Sequence, residues 1–211
     1  MTYLWMSDML ITAAEERKKG MTALYIDGEY AVSVDTLTFA SSGFKTGSEI
    51  TDDELYELLE ASKISRAKEK ALYLIEYRSR TEKELRDKLV PLFGEAAADA
   101  AIERLSRLGL IDDRKYAREY AEQLILKKHF SRERAAFEMM KKGIDRDIAD
   151  EALDETETEP GVQIRALLET KYSRCLGDEK GRNRAVNSLR AMGYRWYDIK
   201  EAMSEYCDDD E

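Results

Sequence analysis

Histidine, cysteine and proline are nearly missing from this chain of 211 residues, which holds one, two and two of them respectively. Two cysteines, Cys175 and Cys207, make neither a disulfide framework nor the paired ligands of a zinc site, and free thiols in a reducing compartment are expected. The lone His129 stands among basic residues in "LKKHFSRER", where a surface position is expected rather than catalysis. No H-E-x-x-H, no G-x-S-x-G and no G-x-x-x-x-G-K-[ST] occurs, so zinc hydrolysis, a nucleophile elbow and a phosphate loop lack their motifs. No run approaches the ~20 apolar residues of a membrane span. The start "MTYLWMSDMLIT" lacks the basic and apolar regions of a signal peptide. These absences predict a cytoplasmic protein without a zinc site, and they leave Ser/His/Asp catalysis with no motif to mark it.

Charge is plentiful, at 37% of residues with a net of −10, and it is unevenly spread. Residues 1–62 carry 4 Lys/Arg against 12 Asp/Glu, and residues 145–160 carry 1 against 8. Residues 63–110, 111–144 and 161–207 each come out at +3, and the tail 208–211 adds four acids. Overall acidity argues against nucleic acid as a partner, whereas the mildly basic blocks leave a contact surface open.

Strand patterns are confined to the N-terminal part. "ALYIDGEYAVSV" holds two runs around Asp27-Gly28, a dipeptide suited to a tight hairpin, and "MLITAAEE" supplies a third strand. A short helix completes this small layer, and "GFKTGSEIT" reads as a loop. From Thr51 the pattern turns helical. Thr51 with Glu54, and Thr81 with Glu84, have the spacing of capping boxes. Leu55, Leu58 and Leu59 mark one helix, and Ile64, Ala67, Ala71, Leu72 and Ile75 the apolar side of a second. Leu85 and Leu89 follow Thr81, then Ala98, Ala101, Ile102, Leu105 and Leu108. In "RLGLIDDRKYAREY" Gly109 permits a left-handed helix end, Leu110 and Ile111 are expected to be buried, and Asp112-Asp113 restart the helix.

A repeat emerges when "TEKELRDKLVPLFG", "SRERAAFEMMKKG" and "GRNRAVNSLRAMG" are superposed. Leu85, Ala135 and Ala185 lie 50 apart, as do Leu89, Met139 and Leu189, while Gly94, Gly143 and Gly193 keep that spacing to within one residue. The expected fold is mainly α: three tandem three-helix-bundle repeats in an elongated curved array, behind a small N-terminal hairpin or three-strand segment. The expected divisions are 1–62 (strands plus helix), 63–110, 111–157 and 158–207 (repeats 1 to 3) and 208–211 (acidic tail).

Basic residues are the candidate contacts. Arg114, Lys115 and Arg118 open repeat 2; Lys127, Lys128, Arg132 and Arg134 surround its first break; Lys141 and Lys142 end its second helix. Arg182 and Arg184 stand 50 residues beyond Arg132 and Arg134. Such arginines suit phosphates or the carboxylates of a protein partner, and equally serve solubility. Tyr116 and Tyr120, four apart, fit core packing better than recognition.

The order of three segments resembles the RecX family, bacterial regulators of the RecA recombinase. They are "ALYLIEYRSRTEKELRDKL", which includes Arg78 and Arg80, then "IERLSRLGLIDDRKYAREYAEQ", then "AAFEMMKKGIDRDIADEAL". The family's capped E-L-x-x-K-L helix falls on Thr81 to Leu89 with Leu85; its G-[LIW]-[LI]-D-D joint and [YF]-A helix on Gly109, Leu110, Asp112, Asp113, Tyr116 and Ala117; and its K-G-I turn on Lys142, Gly143 and Ile144. Where the family has a glycine-containing basic turn, this chain has Lys128-His129-Phe130-Ser131. The resemblance implies a non-enzymatic, cofactor-free monomer that binds RecA filaments on DNA and inhibits or modulates ATPase, filament growth and strand exchange in recombination and DNA repair. It leaves room for weak direct DNA contact and implies no membrane. The alternatives are a helical regulator acting on duplex or single-stranded DNA itself, and a hydrolase whose pocket only a structure would show. Repulsion by the acidic stretch 145–160 and the tail is expected to disfavour naked DNA.

Overall fold

The computed structural model describes residues 9–156 and 158–204. The expected acidic tail, Cys207 and the first eight residues lie outside the described residues. The chain forms two compact units, Met1–Ile111 and Asp112–Glu211.

In the first unit, β1 (Met9–Arg17), β2 (Met21–Ile26) and β3 (Glu29–Asp35) form the expected antiparallel meander. Asp27 and Gly28 both take positive φ, as a two-residue hairpin turn requires. The stretch expected to be all loop contains a two-residue strand, β4 (Glu49–Ile50), which pairs with β1 and gives the order β3-β2-β1-β4. A short helix α1 (Thr36–Ser41) follows β3.

The two helices expected between Thr51 and Tyr77 are one, α2 (Asp52–Tyr77), so a division at 62/63 falls inside a continuous helix. The Thr51–Glu54 capping box is present, and hydrogen bonds from the Thr51 backbone N–H and hydroxyl hold the Glu54 carboxyl below its ordinary pKa. The helix docks on the sheet at Ser62 and Ser65, beside the expected division. Ser62 Oγ accepts from the Asp35 N–H at 2.7 Å, and Ser65 Oγ donates to the Asp35 carboxylate at 3.2 Å. The first half of α2 thereby holds the sheet, whose Ile11, Leu24, Val34 and Ile50 enclose Leu58. Its second half packs with α3 (Glu82–Phe93) and α4 (Glu95–Arg107) as repeat 1. Leu74 is buried there in place of Leu72, and Leu108 stays exposed at the end of α4.

The second unit holds repeats 2 and 3. Repeat 2 is α5 (Asp113–Glu122) with a widened π-type turn over Gln123–Lys127, then α6 (Arg132–Lys141) and α7 (Arg146–Asp154). Repeat 3 is α8 (Pro160–Leu167) with the same kind of turn over Leu168–Tyr172, then α9 (Glu179–Ala191) and α10 (Trp196–Ser204). The 50-residue spacing is a core spacing. Leu85, Ala135 and Ala185 are fully buried, as are Leu89, Met139 and Leu189. Repeats 2 and 3 continue the match through Ile144 and Tyr194, Ala149 and Ile199, Ala152 and Ala202, and Leu153 and Met203, all buried.

Gly109 ends α4 with φ 69, and Asp112 caps α5 by accepting from the Lys115 N–H at 2.9 Å. Of the two apolar residues between them only Ile111 is buried; Leu110 is 47% exposed. Ala117 and Ile144 are buried, Gly143 takes φ 82, and Tyr116 and Tyr120 lie half-buried against the repeat 2 core, rings 5.8 Å apart. His129 adopts φ 55 and is half-buried. A left-handed residue is therefore present in this turn without a glycine, at a cost of roughly 1 kcal/mol.

Candidate interaction surface

The acidic stretch expected to act as a repelling connector is mostly helix α7, and its carboxylates meet the arginines of repeat 2. Arg114 hydrogen-bonds to Glu151, and Arg118 Nε lies 3.3 Å from Glu155. Arg132 Nη2 reaches Asp154 at 2.6 Å and Asp150 at 3.8 Å, while its Nη1 is buried with no partner among the described residues. Arg134 pairs with Glu138 at 2.7 Å and lies over Phe130 and Phe137. Exposed pairs of this kind stabilise by about 0–1 kcal/mol each, so their main effect is to cancel charge.

The other candidates are placed differently. Lys115, Lys127, Lys128, Lys141 and Arg184 are exposed and form no ion pair among the described residues, although Lys128 lies over the Phe130 ring. Lys142 lies over Tyr120. Arg182 donates to the Leu176 carbonyl at 3.2 Å, so the recurring arginines recur in position and not in partner. Arg78 forks onto Glu84, and Arg80 Nε donates to the Leu74 carbonyl at 3.1 Å; both serve the corner between α2 and α3.

The joint between repeats 2 and 3 has no counterpart in the sequence reading. Ser131, the cap of α6, donates its N–H to the Met192 carbonyl at 2.9 Å and its hydroxyl to the Gly193 carbonyl at 2.9 Å. Tyr194 Oη bonds to Gln163 at 2.6 Å and to the His129 carbonyl at 3.1 Å, and Arg195 pairs with Glu133 at 2.5 Å. A cleft of about 260 Å³ beside this joint is lined by both signs of charge, including Arg132, Glu133, Arg195 and Asp198. The 50-residue register marks Gly193, but nothing in it marks a tyrosine hydroxyl as a clasp.

Burial pushes the Tyr194 phenol up to about 12 from its ordinary value near 10. Because the folded pKa is the higher one, the associated stability is complete below pH 10 and is lost as pH rises toward 12. Tyr194→Phe is expected to be less stable than the parent by about 1–3 kcal/mol at pH 8, since the Gln163 and His129 oxygens lose the one O–H they share. That gap should shrink between pH 10 and 12. Urea midpoints measured along that range check it, and a constant gap refutes it.

The fold defines a class: a tandem array of three-helix units built from one core pattern, with a small sheet on its first helix. Comparison with known proteins narrows that class. Residues 67–105 match the model of "RecX, first three-helix domain" and residues 112–153 that of "RecX, second three-helix domain". The Regulatory protein RecX of Clostridium acetobutylicum is 31% identical over 200 residues, covering 91% of this chain and 92% of that one. Its counterpart from Caldanaerobacter subterraneus subsp. tengcongensis is 32% identical over 88% and 92%. The crystal structure of RecX from Lactobacillus salivarius superposes with a TM-score of 0.60 at 28% identity, over 70% of this chain and 98% of that one. A second RecX crystal structure gives 0.67 at 21% identity over 95% and 100%, which supports the fold. The chain belongs to the RecX family of regulatory proteins. Among the described residues no helix is long and apolar enough to cross a membrane.

Proposed function

We propose that this protein regulates the RecA recombinase by binding RecA filaments assembled on DNA, and that it lowers their ATPase rate, growth and strand exchange. The setting is the cytoplasm and the acting species is a monomer. Family membership over most of the chain carries the proposal. The joint of repeats 2 and 3 supports a mechanism of contact: two units held in fixed register offer several modest contacts to one filament, and these add through effective concentration.

Titration into cognate RecA on single-stranded DNA is expected to depress ATP hydrolysis at or below stoichiometric amounts. An unchanged rate at micromolar protein rejects the proposal. Exposed cations without ion pairs are better probes than Arg132, whose reversal would set a glutamate beside Asp150 and Asp154. Lys127, Lys128, Lys141 and Arg184 changed together to Glu should weaken the inhibition while leaving the fold intact. Direct action on DNA, the competing reading, requires binding without RecA and with a steep salt dependence. The pairing of Arg114, Arg118 and Arg132 with carboxylates disfavours it for the unmodified chain.

A further inference from the structure

We propose that α7 is an internal mask: its carboxylates occupy a row of arginines on α5 and α6 that would otherwise bind the phosphodiester backbone of DNA. The arrangement has two rows. Glu151 and Glu155, one turn apart on α7, meet Arg114 and Arg118, one turn apart on α5. Asp150 and Asp154, also one turn apart, both face Arg132 at the start of α6, and Arg146 lies 3.7 Å from Asp150. Guanidinium forks select carboxylates and phosphates by the same geometry, so one set of arginines serves either.

Three observations separate a mask from a structural zipper. The repeat does not need the second row. At the positions 50 residues on, the sequence keeps Glu201 and Glu205 for Glu151 and Glu155 but has Lys200 and Ser204 in place of Asp150 and Asp154, yet α10 buries Ile199, Ala202 and Met203 as α7 buries Ala149, Ala152 and Leu153. The end of the helix gains nothing from it, because Asp154 and Glu155 stand where the backbone dipole of α7 disfavours carboxylates. The pairs are also open to exchange: the side chains of Arg114, Glu151, Arg118 and Glu155 are all half exposed or more. Arg132 is not fully served, since its buried Nη1 has no partner among the described residues. The inference extends past the regulation of RecA and stands or falls without it.

The test uses the full chain in the absence of RecA. In the variant D150N/E151Q/D154N/E155Q four carboxylates are removed and the net charge moves from −10 to −6. Fluorescence anisotropy with a labelled single strand and, separately, a duplex measures affinity from low to moderate salt. Affinity at low salt is expected to rise at least about tenfold, and the slope of log K against log salt to steepen by about 2 on the single strand and nearer 3 on the duplex, as three freed arginines require. Adding R114Q/R118Q/R132Q should return binding to the parent level. No gain in affinity overturns the mask. A gain that survives loss of the three arginines also overturns it, by assigning the effect to net charge. Far-UV circular dichroism verifies folding. Should the fourfold variant not fold, E151Q/E155Q alone carries the same test, with an expected slope change of about 1.4 on the single strand.

Discussion

Gly193→Ala is expected to destabilise the second unit by roughly 3–4 kcal/mol. Two causes add. Gly193 has φ +95, and a side chain in the left-handed region costs about 1–2 kcal/mol. A Cβ there would also stand 2.6 Å from Arg134 Cβ and 2.6 Å from Ser131 Oγ, and such overpacking costs about 1–3 kcal/mol more. Neither neighbour has room to retreat. Ser131 bonds to the backbone at Met192 and Gly193, and the Arg134 N–H donates to Ser131 Oγ at 3.2 Å. Gly109 provides the comparison, because its φ is +69 but nothing lies within 4 Å of the place a Cβ would take. Gly109→Ala should therefore cost only about 1–2 kcal/mol. Urea denaturation of both variants decides the matter; equal midpoints would mean that the joint yields and does not lock the two repeats.

Leu89→Ala is expected to cost about 3 kcal/mol through the cavity it leaves. Leu89 is fully buried with Ala71, Leu85, Ile102 and Leu105 in the core of repeat 1. Leu92 lies three residues on, on the same helix, but is 60% exposed. Its replacement by alanine should stay within about 0.5 kcal/mol. Thermal melts of the two variants measure this difference directly. Similar losses would show that the register placing Leu89 with Met139 and Leu189 is not the register of the core.

Much of this architecture was legible because burial and turn geometry constrain residue type at fixed intervals. Leu85 and Leu89, the glycines at 94, 143 and 193, and the caps Thr51, Thr81 and Asp112 are local demands of a helix or its end. The apolar sets Leu55 to Leu59 and Ile64 to Ile75 suggest two helices, but they are two faces of use on one helix, the first against the sheet and the second against α3 and α4. The hydroxyls of Ser62 and Ser65, between and among those two sets, are engaged with Asp35, some 30 residues away. Leu110 misled in another way, since only one of two consecutive apolar residues after a helix-ending glycine turns inward. The candidate surface was legible as a set of cations and illegible as a set of contacts. Arg114 and Glu151 are 37 residues apart on different helices, and an ion pair leaves no periodic trace. The clasp of Tyr194 on His129 spans 65 residues and was hidden for the same reason.

One difference between the repeats confines this joint to a single place. Position 181 corresponds to Ser131 but is glycine, so it has no hydroxyl to offer. Its N–H is already spent on the Asp178 carboxylate at 2.6 Å, because α9 starts earlier in its repeat than α6 does. A helix end presented to position 181 in the way that Met192 and Gly193 are presented to Ser131 would find neither of the two bonds that Ser131 makes, so the joint of repeats 2 and 3 is chemically singular and repeat 3 cannot copy it.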